Sequence, residues 1–261
     1  MAPVKTGQWR VLASLFPGVL LAIVFILVIE PVSQPQSYHL FADQRIVLQI
    51  PHAGDVLTNL ALIIVGAWGL WFLSHPQLYR ATFIDRREAR NFWWLFAGVL
   101  LTGFGSAWYH LSPDNNSLVW DRLPMTLAFM GLLAAMISER VSLTLGRALL
   151  GPLLLAGVAS VLWWIWTEHQ GHGDLRWYLI VQFYPVLTMP LILLLLSAPY
   201  THGGYYWGVV AFYLIAKLVE ILDHQIFELT RGIISGHNLK HLFAALAVAL
   251  LLRMLWVRSS R

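Results

Sequence analysis

Eight long apolar runs divide this chain of 261 residues and leave it few folds to choose from. They lie at 11–32, 54–75, 92–111, 118–138, 147–166, 176–197, 204–222 and 237–257. A helix needs about 20 largely apolar residues to cross hydrocarbon. In lipid every backbone polar group must be satisfied within the protein, so such runs fold as helices. The expected architecture is all-α: a polytopic bundle forming one integral membrane domain over 1–261. All eight runs are expected to span, beginning with the one at 11–32. That first run is too long for a signal peptide, and it ends in Glu30-Pro31-Val32 without a small-residue cleavage site. Only 11% of residues are charged, against about 25% in a soluble domain.

The net charge of +4 does not point to nucleic acid, because the basic residues sit in short loops between apolar runs. Their distribution sets an orientation instead. With the N-terminus inside, the cytoplasmic segments hold Lys5, Arg10, Arg80, Arg86, Arg87, Arg90, Arg140, Arg147, Arg253, Arg258 and Arg261, 11 of the 17. Both termini are then cytoplasmic. Trp163, Trp164 and Trp166 read as an interfacial aromatic belt. The run at 204–222 is the weakest, since Lys217 and Glu220 fall inside it.

Ionisable groups at membrane depth are costly and mark function by default. Ser106 and His110 are four residues apart, as are His237 and His241, so each pair shares a helical face. The turn Ser112-Pro113-Asp114-Asn115-Asn116-Ser117 returns the chain to Asp121 at similar depth. The topology puts all five residues near one surface. The chain has no cysteine, so a metal here would take nitrogen and oxygen ligands. Three imidazoles with one open position make a catalytic zinc site. Zinc lowers the pKa of a water in the open position towards 7. Asp121 is then placed as general base, and Ser106 as a hydrogen-bond donor to an oxyanion. Ser106 reads equally as a helix-packing serine bonded to its own helix.

Other candidates read as structure. His39, His52, His75, His169, His172, His202 and His224 fall in loops or at helix ends. Lys217 and Glu220 form a mutually neutralising pair, with support of the site from behind as the alternative, together with Asp223.

Taken together, Ser106, His110, Asp121, His237 and His241 resemble the pattern of the alkaline ceramidases, a group of seven-span hydrolases related to the adiponectin and progestin receptors. The words Ser235-Gly236-His237-Asn238-Leu239-Lys240-His241 and Tyr38-His39-Leu40-Phe41-Ala42-Asp43 are similar to bacterial members. The resemblance covers about 50–257 and implies a seven-span core, to which the run at 11–32 is one extra N-terminal span. It implies a zinc ion on His110, His237 and His241, with Asp121 and Ser106 catalytic. It also implies cleavage of the ceramide amide into a sphingoid base and a fatty acid, in the bacterial inner membrane with the site near the outer, periplasmic face. Eukaryotic members bind calcium through an acidic, tryptophan-containing segment. Residues 43–55 have few carboxylates and no tryptophan, which argues against Ca2+, although Asp55 and Asn59 retain part of such a site.

The expected partners are a ceramide-like membrane lipid and the bilayer, without nucleic acid. The alternative is a seven-span lipid receptor or regulator with a metal site and little turnover; the short segments outside the first and last spans argue against it. A bis-histidine haem protein leaves Ser106 and Asp121 unexplained. A serine hydrolase built on Ser106 and His110 is a fourth reading.

Overall fold

The structure is a computed structural model that describes residues 5–79 and 82–260; Arg80 and Arg261, counted above with the cytoplasmic residues, lie outside them. The described residues are helical and contain no β-strand. The helices are α1 (Lys5–Val28), α2 (Ala53–Thr58), α3 (Leu60–Ser74), α4 (Ala89–Leu111), α5 (Asn115–Arg140), α6 (Leu143–His169), α7 (Arg176–Leu195), α8 (Tyr205–Ile221), α9 (Asp223–Leu229) and α10 (Gly236–Val257). Among the described residues six spans are long and apolar enough to cross a membrane, α2 and α3 counting as one, and a seventh arises if α8 and α9 form one span. Six or seven of the expected eight spans therefore meet this measure of length and composition. The run at 92–111 folds as α4 but is not among the six, because polar and amphipathic groups such as Asn91, Ser106, Tyr109 and His110 dilute its apolar character. At the weak run, α8 and α9 meet at a bend of 78°.

Helices adjacent in sequence pack together along α3–α4–α5–α6–α7, and α10 returns to lie on α8 and α3. The main core forms where they meet, around Phe72, Phe92, Phe96, Met136, Leu251 and Leu255. Helix α1 packs on α7 and presents most of its apolar surface outward. Such exposed apolar surface suits a lipid solvent. Of the three tryptophans read as a belt, Trp163 and Trp166 are exposed, but Trp164 is fully buried. Its helical position turns it inward onto Arg122, with the ring centroid 4.4 Å away.

Three helix starts set the site. Asp114 caps α5: its carboxylate accepts from Ser117 N at 2.6 Å, and Asp114 N donates to Ser117 Oγ at 3.0 Å. Ser235 caps α10 in the same reciprocal way with Asn238. Asp223, opening α9, accepts from His237 N at 2.6 Å. The last two contacts satisfy N–H groups that a helix start otherwise leaves without partners.

Candidate metal centre

His110 closes α4, and His237 and His241 open α10, so three imidazoles from two helices arrive at one depth. One nitrogen of each lies within 4.8 Å of the others, and this group can hold a metal ion. His110 Nε2 and His237 Nε2 are 3.2 Å apart. A tetrahedral ion about 2.0–2.1 Å from two imidazole nitrogens sets them roughly 3.3 Å apart, so the spacing suits one. All three rings are at most 3% exposed.

The third ring is oriented from behind. Thr58 Oγ1 donates to the Gly54 carbonyl at 2.8 Å and therefore accepts from His241 Nδ1 at 2.9 Å. That places the proton on Nδ1 and leaves the Nε2 lone pair directed inward. His241 Nε2 has no hydrogen-bond partner. A buried acceptor without a donor is costly, and a cation at the cluster would remove that cost. Imidazole nitrogens accept zinc and other transition ions alike, so the donor set is compatible with zinc without selecting it.

Ser106 and Asp121 meet beside the cluster. A Cβ built on Gly105 would lie 1.8 Å from the Trp120 carbonyl oxygen, so only glycine lets α4 approach α5 this closely. Ser106 and Asp121 are both buried, 1% and 5% exposed. Both, with His241, line a cavity of about 290 Å³. Arg122 does not pair with Asp121. Its Nη2 donates to Gln34 Oε1 at 2.6 Å, and its guanidinium carbon lies 4.4 Å from the Trp164 centroid and 4.7 Å from that of Tyr178.

Residues 29–52 cross over the cluster. Phe41 sits with ring centroids 4.6 Å from His110 and 4.5 Å from His237. Ala42 N donates to Asp223 Oδ2 at 2.9 Å. Arg45 joins Asp43 through two nitrogens and donates to the Gly232 carbonyl at 2.6 Å. Burial pushes the Asp43 carboxyl up, and the Arg45 hydrogen bonds and charge more than offset this, holding it below its ordinary 3.8. The Ser117 backbone N–H similarly lowers Asp114. Asp55 and Asn59 are fully buried; Asp55 Oδ1 accepts from Asn238 at 2.6 Å, while Asp55 Oδ2 and Asn59 Oδ1 have no partner.

Sequence reasoning missed Thr58 and Phe41. Thr58 sits four residues after Gly54 in an unremarkable helix start. Phe41 lies in the quoted word Tyr38-His39-Leu40-Phe41-Ala42-Asp43 but is apolar, so no chemical signal singled it out. His39, read as interfacial, takes the Tyr109 hydroxyl at 2.8 Å and lies 2.9 Å from Asn115 Oδ1. Lys217 and Glu220 pair as expected, and Lys240 joins Glu220 at 3.2 Å.

No protein-family model matches the chain, and no curated protein matches it.

Proposed function

We propose that this protein is an intramembrane zinc hydrolase of the alkaline-ceramidase kind, cleaving the amide bond of ceramide-like lipids. The observation that carries this reading is the convergence of three buried imidazoles beside Ser106 and Asp121 at the polar end of an apolar cavity. The cavity passes Leu95, Val99, Leu132 and Val248 to Leu251. From His241 to Leu251 is ten residues of α10, about 15 Å at 1.5 Å per residue. That is room for an acyl chain with its carbonyl at the cluster.

Zinc on His110, His237 and His241 would supply Lewis acidity and a water acidified towards neutrality. Asp121 accepts the proton of the attacking water and delivers it to the leaving nitrogen. Ser106 donates a hydrogen bond to the carbonyl oxygen as charge develops on it. The C–N bond breaks, the acyl carbon gains hydroxyl and the nitrogen gains hydrogen, giving a fatty acid and a sphingoid base. Phe41 and the segment carrying it exclude bulk water from the histidines. All eight apolar runs then cross the bacterial inner membrane, with both termini cytoplasmic and the site near the outer face.

The test is metal content by mass spectrometry, together with hydrolysis of a lipid amide, for detergent-purified wild type and His110→Ala. Circular dichroism follows the fold. About one zinc per chain and turnover in wild type, both absent from a helical variant, are expected. A metal-free but folded wild type would sink the proposal. Metal and lipid binding without turnover would make the protein a receptor.

A further inference from the structure

The apolar cavity ends in an excess of positive charge. Arg122, Lys217 and Lys240 lie on its wall with two carboxylates, Asp121 and Glu220. Glu220 pairs with both lysines, so one carboxylate serves two cations. Arg122 is 6% exposed, makes its hydrogen bond to a neutral amide, and has no partner at Nη1. Three aromatic rings surround its guanidinium: those of Trp164, Tyr178 and, at 5.5 Å, Tyr38. Such rings hold a cation without neutralising it. Buried charges are ordinarily paired, because an unpaired one carries a large desolvation cost. A planar guanidinium with an unused donor matches a carboxylate. The rest of the cavity wall is mainly apolar, with Leu95, Val99, Phe129, Leu132, Val248 and Leu251 among its residues.

We infer that the polar end of this cavity receives the carboxylate of an anionic lipid, with Arg122 as the binding group and the aliphatic tail lying towards Leu251. Two sources share this chemistry: the head group of an N-acyl amino acid, and a fatty acid released by amide cleavage. Assigning between them rests on the hydrolase reading; the binding itself does not. Ceramide carries no carboxylate, so a head-group source would make acidic lipid amides the better substrates.

The experiment measures equilibrium binding of a fluorescent C16 fatty acid and of the corresponding C16 alcohol. It uses full-length protein in lipid nanodiscs, treated with a chelator so that no metal contributes. Wild type is expected to bind the acid about tenfold or more tightly than the alcohol, the scale of a charge-assisted hydrogen bond. Arg122→Gln should weaken binding of the acid far more than that of the alcohol and so bring the two affinities together. Arg122→Lys should restore most of the preference. Equal affinity for acid and alcohol in wild type overturns the inference, as does a preference that survives in Arg122→Gln. If Arg122→Gln does not fold, Arg122→Lys and wild type still give the comparison. Displacement of the probe by N-palmitoylglycine, set against N-palmitoylethanolamine, assigns the head group. Displacement by palmitate alone assigns the released acid, and displacement by neither overturns the subsite. A protein with no turnover would remove the hydrolase reading and leave this measurement standing.

Discussion

The two ends of the bundle bury polar groups in opposite ways. At the end away from the histidines, Arg258 meets Glu139 in an ion pair in which both side chains are at most 2% exposed. Tyr206 donates to Glu139 at 2.9 Å, and Tyr200 donates to Glu88 at 2.6 Å. Charge meets countercharge there, and only Arg258 Nη2 and Glu88 Oε2 among these groups lack a hydrogen-bond partner. At the other end, three imidazoles pack against one another with ring centroids 4.8–5.3 Å apart and no carboxylate among them. The first arrangement fixes helices in place. The second contributes little to folding by itself and becomes useful once a cation draws the three lone pairs together.

Substitutions at the two ends should therefore differ most in stability. Arg258→Ala leaves Glu139 buried without its partner, and a loss of ~3–5 kcal/mol is expected. His237→Ala in metal-free protein should be close to neutral, because no countercharge is stranded. Thermal unfolding in detergent compares them, and equal losses would erase the contrast between the ends.

Thr58→Val sharpens the comparison from behind the metal centre. Without its acceptor, the Nδ1 proton of His241 no longer fixes the ring. Metal affinity should fall about 10–100-fold, as for other groups that orient metal ligands. Competition with a chromogenic chelator measures it, and an unchanged affinity would mean that His241 is oriented by packing alone.

Gly105→Ala tests the approach of α4 to α5. The added methyl meets the Trp120 carbonyl and must push the helices apart, costing ~1–3 kcal/mol as overpacking does. It should also separate Ser106 from Asp121, so turnover should fall further than stability suggests. A variant with wild-type turnover would remove Ser106 from the mechanism.

The smallest effect is pH-dependent and belongs to the segment over the histidines. The folded pKa of Asp43 is depressed, so its contribution to stability is present above its ordinary 3.8 and is lost as pH falls through the lower folded value. Asp43→Asn should flatten the acid limb of an unfolding curve below about pH 5 and leave the region above it parallel to wild type. An unchanged acid limb would mean that Arg45 holds the segment without Asp43.

Much of this was legible in the chain because membrane helices impose parity. Two i, i+4 pairs expected at matching ends of apolar runs pointed to one site, and His110, His237 and His241 do come together. The starts of α5 and α10 are held by Asp114 and Ser235, whose capping chemistry is local. What stayed hidden was set by tertiary contact. Nothing near Trp164 distinguishes it from Trp163 and Trp166 except the face on which Arg122 arrives. The bend between α8 and α9 depends on Asp223 reaching α10 and residue 42, a contact no local pattern encodes. Phe41 is one apolar residue among many until the 29–52 segment is folded across the rings.

The separation of the ligands along the chain also dictates when the centre can exist. His110 and His237 are 127 residues apart. At about 5–20 residues per second of synthesis, His110 is made roughly 6–25 s before its partners. During that interval the emerging chain holds only one of the three clustered imidazoles, too few to capture an ion firmly. A metal at this centre would therefore load late in the making of each molecule, and its presence would report that α10 has found its place against α4.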